Sequence, residues 1–146
     1  MQIEVMTLSD IQQVIPLYID YYNNCEGACW TEITAKRRIE QVLKMEDSYS
    51  LIMRNEDSEI FGFVMGYYKQ YDDIRAYTLE EILISSKRQN KGLGRILLAE
   101  LESRVKSAGA SCIELNAVKD EKHERYYGKA GYHDAKNFVV KVKWFA

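Results

Sequence analysis

Residues 80–95 have the sequence EEILISSKRQNKGLGR, in which an apolar, strand-like run passes through a polar loop into the start of a helix. The loop contains two closely spaced glycines, Gly92 and Gly94, which let a backbone adopt positive φ angles and approach a ligand closely. The helix predicted to begin near Leu93 directs its first N–H groups and the positive end of its dipole to the same place. This arrangement is typical of an anion site, and phosphate is its natural ligand.

Basic residues cluster in the same segment, although the whole chain has a formal net charge of -2. They add a local positive field that suits a polyanion, and they are Lys87, Arg88, Lys91 and Arg95. The segment is not a Walker A loop, because no Gly-Lys-Ser or Gly-Lys-Thr follows, and it lacks the third glycine of the dinucleotide fingerprint. On the loop alone, a purely structural interpretation stays open, in which the glycines tighten a turn and the basic side chains form a solvated face.

The whole chain has the length and composition of one globular domain. It has 146 residues, of which 47% are hydrophobic, and a single proline, which is enough apolar material for a packed core. The nearly balanced charge argues against nonspecific nucleic-acid binding. No run approaches the ~20 apolar residues of a membrane span, and the first residues lack a signal sequence. We expect a single domain over residues 1–146, in the cytoplasm, that binds neither nucleic acid nor a membrane.

The three cysteines, Cys25, Cys29 and Cys112, are predicted to be free thiols, since an odd and small set argues against a disulfide scaffold. Cys25 and Cys29 are spaced like two metal ligands. However, the residues around them offer no histidine and no second cysteine pair, whereas structural zinc is usually held by four N or S ligands. We therefore expect no metal site.

Hydrophobic periodicity predicts an alternation of strands and helices along the chain. Strands are expected at 3–5, 49–54, 60–68, 75–84, 112–118 and 138–145, and helices at 9–22, 31–43, 93–107 and 121–130. Ser9 and Gln12 fit a capping box at the start of the first helix, but Pro16 means that this helix either begins near Leu17 or is kinked. Short polar connections between the second, third and fourth strands indicate an antiparallel meander. The predicted fold is an α/β (α+β) domain whose mixed, largely antiparallel central sheet has helices on both faces.

At the glycine loop the sequence resembles the GCN5-related N-acetyltransferase (GNAT) family. The family signature, Gln/Arg-x-x-Gly-x-Gly/Ala, is matched by residues 89–94, which read QNKGLG. The predicted order of strands and helices is similar to that of the family over essentially the whole chain. A second motif, residues 123–132, resembles the family's aromatic-Tyr-x-Lys-x-Gly-aromatic segment and places Tyr127 at the tyrosine that faces the thioester sulfur.

The resemblance implies a binding mode for acetyl-CoA. The backbone of the glycine loop would hold the pyrophosphate, the strand before it would pair with the pantetheine arm, and a splay between the fourth and fifth strands would receive the thioester. The residues expected to bind acetyl-CoA are Ile82, Leu83, Ile84, Gln89, Asn90, Lys91, Gly92, Leu93, Gly94, Arg95, Asn116 and Tyr127. The chain departs from the family at Asp120, where asparagine is frequent, and whether His123 replaces that contact or caps the helix stays open.

The resemblance also implies catalytic residues. Many family members place a carboxylate in the fourth strand that relays a proton from the acceptor amine, and Glu80 corresponds to it. Adjacent side chains of a regular strand point to opposite faces. We therefore expect either Glu80 or Glu81 to face the cleft, and the other a partner or solvent, unless a bulge exchanges them. Tyr127 is expected to donate a proton, or a hydrogen bond, to the departing sulfur, whereas Tyr126 is expected to pack in the core.

The implied function is N-acetyl transfer from acetyl-CoA to a primary amine by direct attack in a ternary complex. Cys112 is expected to be buried in a strand, and neither it nor Cys25 and Cys29 has an evident base, which disfavours a covalent cysteine intermediate.

Ten aromatic and acidic residues are suited either to a pocket for a cationic amine or to a solvated surface: Tyr18, Tyr21, Tyr22, Glu26, Trp30, Tyr67, Tyr68, Tyr71, Asp72 and Asp73. No motif identifies the acceptor, a small molecule or a peptide, and the resemblance allows a homodimer. The alternative function is a noncatalytic acyl-CoA-binding or sensing module.

Overall fold

Five strands and four α-helices make up the chain, and the computed structural model describes residues 1–146. The chain consists of two compact units, Met1–Leu115 and Asn116–Ala146. In the first unit the strands are β1 (Gln2–Val5), β2 (Leu51–Arg54), β3 (Ile60–Gln70), β4 (Arg75–Ile84) and β5 (Cys112–Glu114), and the helices are α1 (Ile11–Cys25), α2 (Glu32–Leu43) and α3 (Leu93–Ser107). The second unit contains α4 (Glu121–Lys129). None of these helices has the length and apolar character needed to cross a bilayer.

The strands form one sheet in the order β1-β2-β3-β4-β5. Neighbouring strands are antiparallel except for β4 and β5, which are parallel. Asn55 closes the connection between β2 and β3, because its Oδ1 accepts hydrogen bonds from the N–H groups of Asp57 (2.9 Å) and Glu59 (3.0 Å). The predicted mixed, largely antiparallel sheet is confirmed. The short polar connections between β2, β3 and β4 leave these strands no geometry but the hairpin.

Successive side chains of a strand point to opposite faces of the sheet, and because successive residues are apolar, apolar side chains cover both faces. One face packs against α1 and α2, and its buried strand residues are Ile52, Phe63, Met65 and Leu83. Their neighbours in sequence point to the opposite face, where α3 packs. The residues that α3 buries there recur at the spacing of one helix face, and they are Leu97, Leu98, Leu101 and Val105.

The start of α1 differs from the predicted capping box at Ser9. A short 3₁₀ turn precedes the helix, and the carboxylate of Asp10 accepts a hydrogen bond from the N–H of Thr7 (2.8 Å). Asp10 also forms an ion pair with Arg54 of β2 (2.8 Å), which fixes the carboxylate at the start of the helix. α1 then runs without interruption through Pro16, so the alternative later start was wrong.

Two predicted strands are shortened or missing. The buried strand predicted at 112–118 ends at Glu114, and Cys112 is exposed. No strand forms at 138–145. A strand needs a hydrogen-bonding partner as well as an alternating sequence, and β4 pairs with β5 only as far as Thr78. The alternation of side chains predicted these strands without any information about the edge that they require.

Candidate functional site

A β-bulge in β4 determines the direction of two neighbouring carboxylates. Leu79 and Glu81 lie opposite consecutive residues of β3, so Glu80 is the extra residue. The two strands are very close beside it, and a Cβ on Gly66 would lie 2.2 Å from the carbonyl oxygen of Thr78. Glycine is therefore required at position 66, and the bulge interrupts the alternation of side chains along β4.

Both carboxylates contact the same guanidinium. Nη2 of Arg38 in α2 lies 2.8 Å from Oε2 of Glu80, and its Nε lies 3.1 Å from Oε1 of Glu81. The expectation that the two glutamates face opposite sides of the strand was wrong, because the bulge turns Glu80 to the side of Glu81. Arg38 was not among the predicted residues. Its position between the buried Ala35 and Val42 could have indicated it, since a cation on the apolar side of a helix needs a partner.

Glu81 is fully engaged as a hydrogen-bond acceptor. The hydroxyl of Tyr18 donates to its Oε1 (3.1 Å), and the hydroxyl of Tyr22 donates to its Oε2. Burial and the negative charge of Glu81 raise the pKa of both tyrosines, so that they remain protonated donors. Together with Arg38, these contacts leave neither oxygen of Glu81 without a donor.

Glu80 is the less constrained of the two. Its side chain is 28% exposed, and its hydrogen-bond partner is Arg38, through Oε2. Oε1 accepts no hydrogen bond from the protein. Burial would lower the pKa of Arg38, but the two glutamates raise it above its usual value, so the guanidinium stays charged beside them. Glu80 therefore has a carboxylate oxygen that can accept a proton, whereas both oxygens of Glu81 are occupied.

β4 continues beyond the strand that pairs with it. Pairing with β5 stops where Thr78 is opposite Glu114, whereas β4 runs to Ile84. Glu114 fixes this end of the pairing, because it accepts hydrogen bonds from the hydroxyls of Thr78 (3.1 Å) and Tyr71 (2.8 Å). From residue 79 onward, the edge of β4 has no strand partner on the β5 side, and an extended ligand with amide groups can pair with such an edge. The predicted pantetheine-pairing residues lie on this part of the strand: Ile82, Leu83 and Ile84.

The glycine loop follows directly from β4. Asn90 and Gly92 have positive φ angles of 62° and 75°, and Gly92 is the N-cap of α3. A Cβ on Gly92 would meet no atom within 4 Å, so the backbone angle and not the space favours glycine there. Gln89 closes the loop, because its Nε2 donates to the carbonyl of Ile84 (3.1 Å). The side chain of Gln89 thus shapes the loop, and the space in front of Gly92 stays open.

The start of α3 has the features of an anion site. Its first backbone hydrogen bond is donated by Ile96 to the carbonyl of Gly92 (3.1 Å), so the N–H groups of Leu93 and Arg95 are not used within the helix and lie at its positive end. One basic residue of the segment is used elsewhere, since Arg88 stacks over the ring of Phe61 (4.7 Å). The others remain exposed around the loop, and they are Lys87, Lys91 and Arg95. These groups fit a polyanion such as a pyrophosphate.

Asn116 and Tyr127, the remaining predicted ligand residues, lie in the second unit. Asn116 is exposed and follows β5 instead of lying in it. Tyr127 is half-buried on α4, where its ring packs edge-on against Tyr126 (centroids 4.9 Å apart) and Tyr132 (5.6 Å). The chain turns after α4 at Gly131, whose φ is 91°. The aromatic contacts and this turn hold Tyr127 in a defined position within its unit.

Asp120 is the N-cap of α4. Its Oδ1 accepts a hydrogen bond from the N–H of His123 (2.7 Å) and lies 2.7 Å from Nδ1 of the same residue. The backbone and side-chain contacts with His123 lower the pKa of Asp120. His123 therefore takes part in capping the helix, which is one of the two roles that the sequence left open.

The aromatic residues predicted around an acceptor pocket divide into two groups. Tyr18 and Tyr21 are buried in the core between α1, α2 and the sheet. Trp30 lies beside them and is held there by Asn23. The Oδ1 of Asn23 accepts a hydrogen bond from the N–H of Trp30 (2.8 Å), and its Nδ2 donates to the carbonyl of Trp30 (2.9 Å). The first group therefore forms a packed wall beside Glu81, and not an open cage. The second group, beyond the bulge, is half-buried and consists of Tyr67, Tyr68 and Tyr71.

The cysteines are free and exposed. Partial desolvation and the charge of Glu114 raise the pKa of the Cys112 thiol, which disfavours its thiolate. No group of three or more histidine, cysteine, aspartate or glutamate residues is arranged to hold a metal ion.

Comparison with known proteins gives a consistent result. The family model for the acetyltransferase (GNAT) domain matches residues 11–144. The uncharacterized N-acetyltransferase YhfO of Bacillus subtilis (strain 168) is 26% identical over 145 residues, which cover 95% of this chain and 94% of that protein. A possible acetyltransferase from Clostridium difficile 630 has a similar fold, with 11% identity and a TM-score of 0.83 over 99% of this chain and 98% of that one. So does the crystal structure of a probable acetyltransferase, with 16% identity and a TM-score of 0.81 over 100% and 99% of the two chains.

Proposed function

This chain belongs to the GNAT acetyltransferase family, and on that premise we propose that it transfers an acetyl group from acetyl-CoA to a primary amine by direct attack in a ternary complex. Membership of the family makes it an acyltransferase and implies an acyl-CoA donor and an amine acceptor. We further propose that residues 1–146 act as one acetyltransferase domain, since the family match extends over both compact units.

One observation carries the proposal: a carboxylate with an unpaired oxygen and an anion site lie at the two ends of one open strand edge. Glu80 is the bulge residue of β4, and the glycine loop begins after Ile84. Five residues of extended chain span roughly 16 Å. An extended arm bound along this edge would bring its thioester end to Glu80 while its phosphates lie at the start of α3.

The residues of the loop and strand have distinct parts in holding acetyl-CoA. The N–H groups of Leu93 and Arg95 and the exposed lysine and arginine side chains would bind the pyrophosphate. The edge of β4 at residues 82–84 would pair with the amides of the pantetheine arm. Asn116 and Tyr127 complete the expected set by family resemblance. Once bound, acetyl-CoA supplies an activated thioester carbonyl.

The chemistry needs a group that removes a proton from the acceptor. An alkylamine has a pKa of about 10.4 and is mostly protonated at pH 7, when it cannot attack. Oε1 of Glu80 would accept this proton, directly or through a water molecule, while Arg38 holds Oε2 and fixes the orientation of the carboxylate. As the new N–C bond forms and the C–S bond breaks, the phenol of Tyr127 would donate a proton to the departing sulfur, and the second proton that the nitrogen loses would return to Tyr127 through solvent.

The experiment that tests this function measures CoA release from acetyl-CoA with a panel of amines that includes small amines, amino acids, polyamines and peptides. A Cys25→Ser/Cys29→Ser variant removes two exposed thiols that would react with a thiol reagent, and we expect it to keep its activity. CoA release that requires an amine, together with a product heavier by one acetyl group, supports the proposal. Binding of acetyl-CoA without transfer to any amine would instead indicate a noncatalytic binding or sensing module.

A further inference from the structure

Glu81 is a charged residue at a position of β4 where the core would accept an apolar one. It lies opposite the buried Met65 and two residues before the buried Leu83, on the face of the sheet that α1 and α2 cover. Its side chain is 14% exposed. Buried ion pairs can often be replaced by apolar residues at no cost in stability. The polar network around Glu81 therefore points to a role besides stability.

The two oxygens of Glu81 have different partners. Oε1 accepts hydrogen bonds from the hydroxyl of Tyr18 (3.1 Å) and from Nε of Arg38 (3.1 Å). Oε2 has a single donor, the hydroxyl of Tyr22. The hydroxyl of Tyr22 therefore determines whether Oε2 is available to a second N–H group of Arg38.

Arg38 is shared between two carboxylates instead of being paired with one. A guanidinium commonly binds a single carboxylate through two parallel N–H···O bonds. Here Nε binds Glu81, whereas Nη2 binds Oε2 of Glu80 (2.8 Å). Because the guanidinium is planar and rigid, the contact of Nε with Glu81 fixes the direction in which Nη2 reaches Glu80. The orientation of Glu80 thus depends on which atoms of Glu81 the arginine can bind.

We propose that Tyr22 is a positioning residue for acetyl transfer, whose hydroxyl occupies Oε2 of Glu81 and so reserves one N–H group of Arg38 for Glu80. Without this hydroxyl, both oxygens of Glu81 are open to Arg38, and the arginine turns to bind Glu81 through Nε and Nη2 together. The carboxylate of Glu80 then loses the contact that orients it. This inference rests on the proposed function, in which Glu80 is the base.

The first test compares Tyr22→Phe with Tyr18→Phe. Each variant removes one hydroxyl donor from the same carboxylate, but only Tyr22→Phe frees Oε2. We expect Tyr22→Phe to lower kcat per folded molecule about tenfold, which is part of the 10²- to 10⁴-fold contribution of a general base, with KM for acetyl-CoA unchanged. Tyr18→Phe should lower kcat by less than about threefold on the same scale. Equal kcat values for the two variants would overturn the proposal.

The second test asks whether Tyr22 acts through Glu80. In a Glu80→Gln background, Tyr22→Phe should cause no further loss of turnover, because the base that Tyr22 positions is already absent. A residue that only supports the fold would lower turnover by the same factor in both backgrounds. That additive result would contradict the proposal.

The third test follows the arginine itself and needs no acceptor. A double-mutant cycle of urea unfolding with Arg38→Leu and Glu80→Ala measures the interaction between Arg38 and Glu80. We expect this interaction in the otherwise wild-type chain and none in a Tyr22→Phe background. An interaction of unchanged strength in that background would overturn the proposal. If no amine is acetylated, the proposed function fails, and this cycle still decides whether Tyr22 directs Arg38 to Glu80.

Discussion

Nη2 of Arg38 lies 2.8 Å from Oε2 of Glu80, and the other side of the same guanidinium binds Glu81. One cation therefore offsets part of the repulsion between two neighbouring carboxylates at partly buried positions. The contact occupies one oxygen of Glu80 and leaves the other without a partner. It thus orients the carboxylate in the strand without using up its capacity to accept a proton.

Arg38→Leu should destabilise the protein, because it leaves both glutamates without their cation. We expect the free energy of unfolding to fall by roughly 1–3 kcal/mol, the range for a charged group that loses its hydrogen-bond partner. Arg37→Leu is the matched control, since Arg37 is the adjacent residue of α2, is exposed and forms no ion pair. Urea unfolding of the two variants measures the difference, and equal effects would mean that the contact with Glu80 and Glu81 adds no stability.

Gly66→Ala should be among the most damaging single-methyl changes in the sheet. The new Cβ would lie 2.2 Å from the backbone oxygen of Thr78 and 2.6 Å from the ring of Tyr77, and backbone cannot move away cheaply. We expect a loss of about 3 kcal/mol or more in unfolding free energy. At Gly62 the nearest atom is the flexible end of Ile84, so Gly62→Ala should cost about 1 kcal/mol. Thermal unfolding of the two variants measures the difference in stability. If Gly66→Ala is as stable as Gly62→Ala, β3 and β4 are not in close contact at the bulge.

The meander and α3 could be predicted from the sequence because their signals are local. The strand predicted at 75–84 matches β4 at both ends, and Gly92 marks the start of α3 as expected. In these places the periodicity of side chains and the loop residues point to the same structure. The strand predicted at 138–145 failed because pairing depends on an edge elsewhere in the fold, which alternation does not encode.

The arrangement of the carboxylates was not predictable for a related reason. Alternation assigns Glu80 and Glu81 to opposite faces, and the bulge that brings them together depends on how closely β3 approaches at Gly66. A glycine within an apolar strand is a weak signal for a bulge. Arg38 lies more than forty residues away in sequence, on another element. Its contact with the two glutamates follows from the packing of α2 on the sheet, which no local pattern contains.

Gly92→Val should separate binding of acetyl-CoA from folding. A β-branched residue at a φ of 75° is strained, by about 1–2 kcal/mol, and its side chain would enter the open space in front of α3. Gly109→Val carries a similar strain, at a φ of 97° and also without a close neighbour, but at the other end of the helix. We expect acetyl-CoA to raise the melting temperature of the Gly109 variant and not that of the Gly92 variant. If both variants respond alike, the pyrophosphate does not lie at the glycine loop.

Tyr127→Phe tests the proposed proton donor for the leaving group. Loss of the hydroxyl should reduce turnover by about 10²-fold or more, in the range typical of a general acid, with acetyl-CoA affinity retained. Tyr126→Phe is the control, because Tyr126 is the neighbouring aromatic residue on α4 and packs against the same ring. The loss at Tyr127 should not be recovered at alkaline pH, since the missing proton is on the leaving side. Equal turnover of the two variants would assign Tyr127 to packing alone.

Glu80→Gln tests the proposed base. The variant should lower turnover by about 10²- to 10⁴-fold at neutral pH, while acetyl-CoA still raises the melting temperature. Because an alkylamine has a pKa of about 10.4, raising the pH supplies more neutral acceptor, and the variant should recover part of its rate as the pH increases. A pH–rate profile of the variant and of the wild type measures this recovery.

Glu81→Gln is the matched comparison, since it changes the neighbouring carboxylate whose oxygens are already occupied by Tyr18, Tyr22 and Arg38. It should reduce stability, because two tyrosine hydroxyls and a guanidinium lose the charge that they bind. Its turnover per folded molecule should fall less than that of Glu80→Gln and should show no alkaline recovery. If Glu80→Gln is fully active at every pH while Glu81→Gln is inactive, the proton acceptor is Glu81. If both variants are fully active, the proton passes to water or to a residue outside β4.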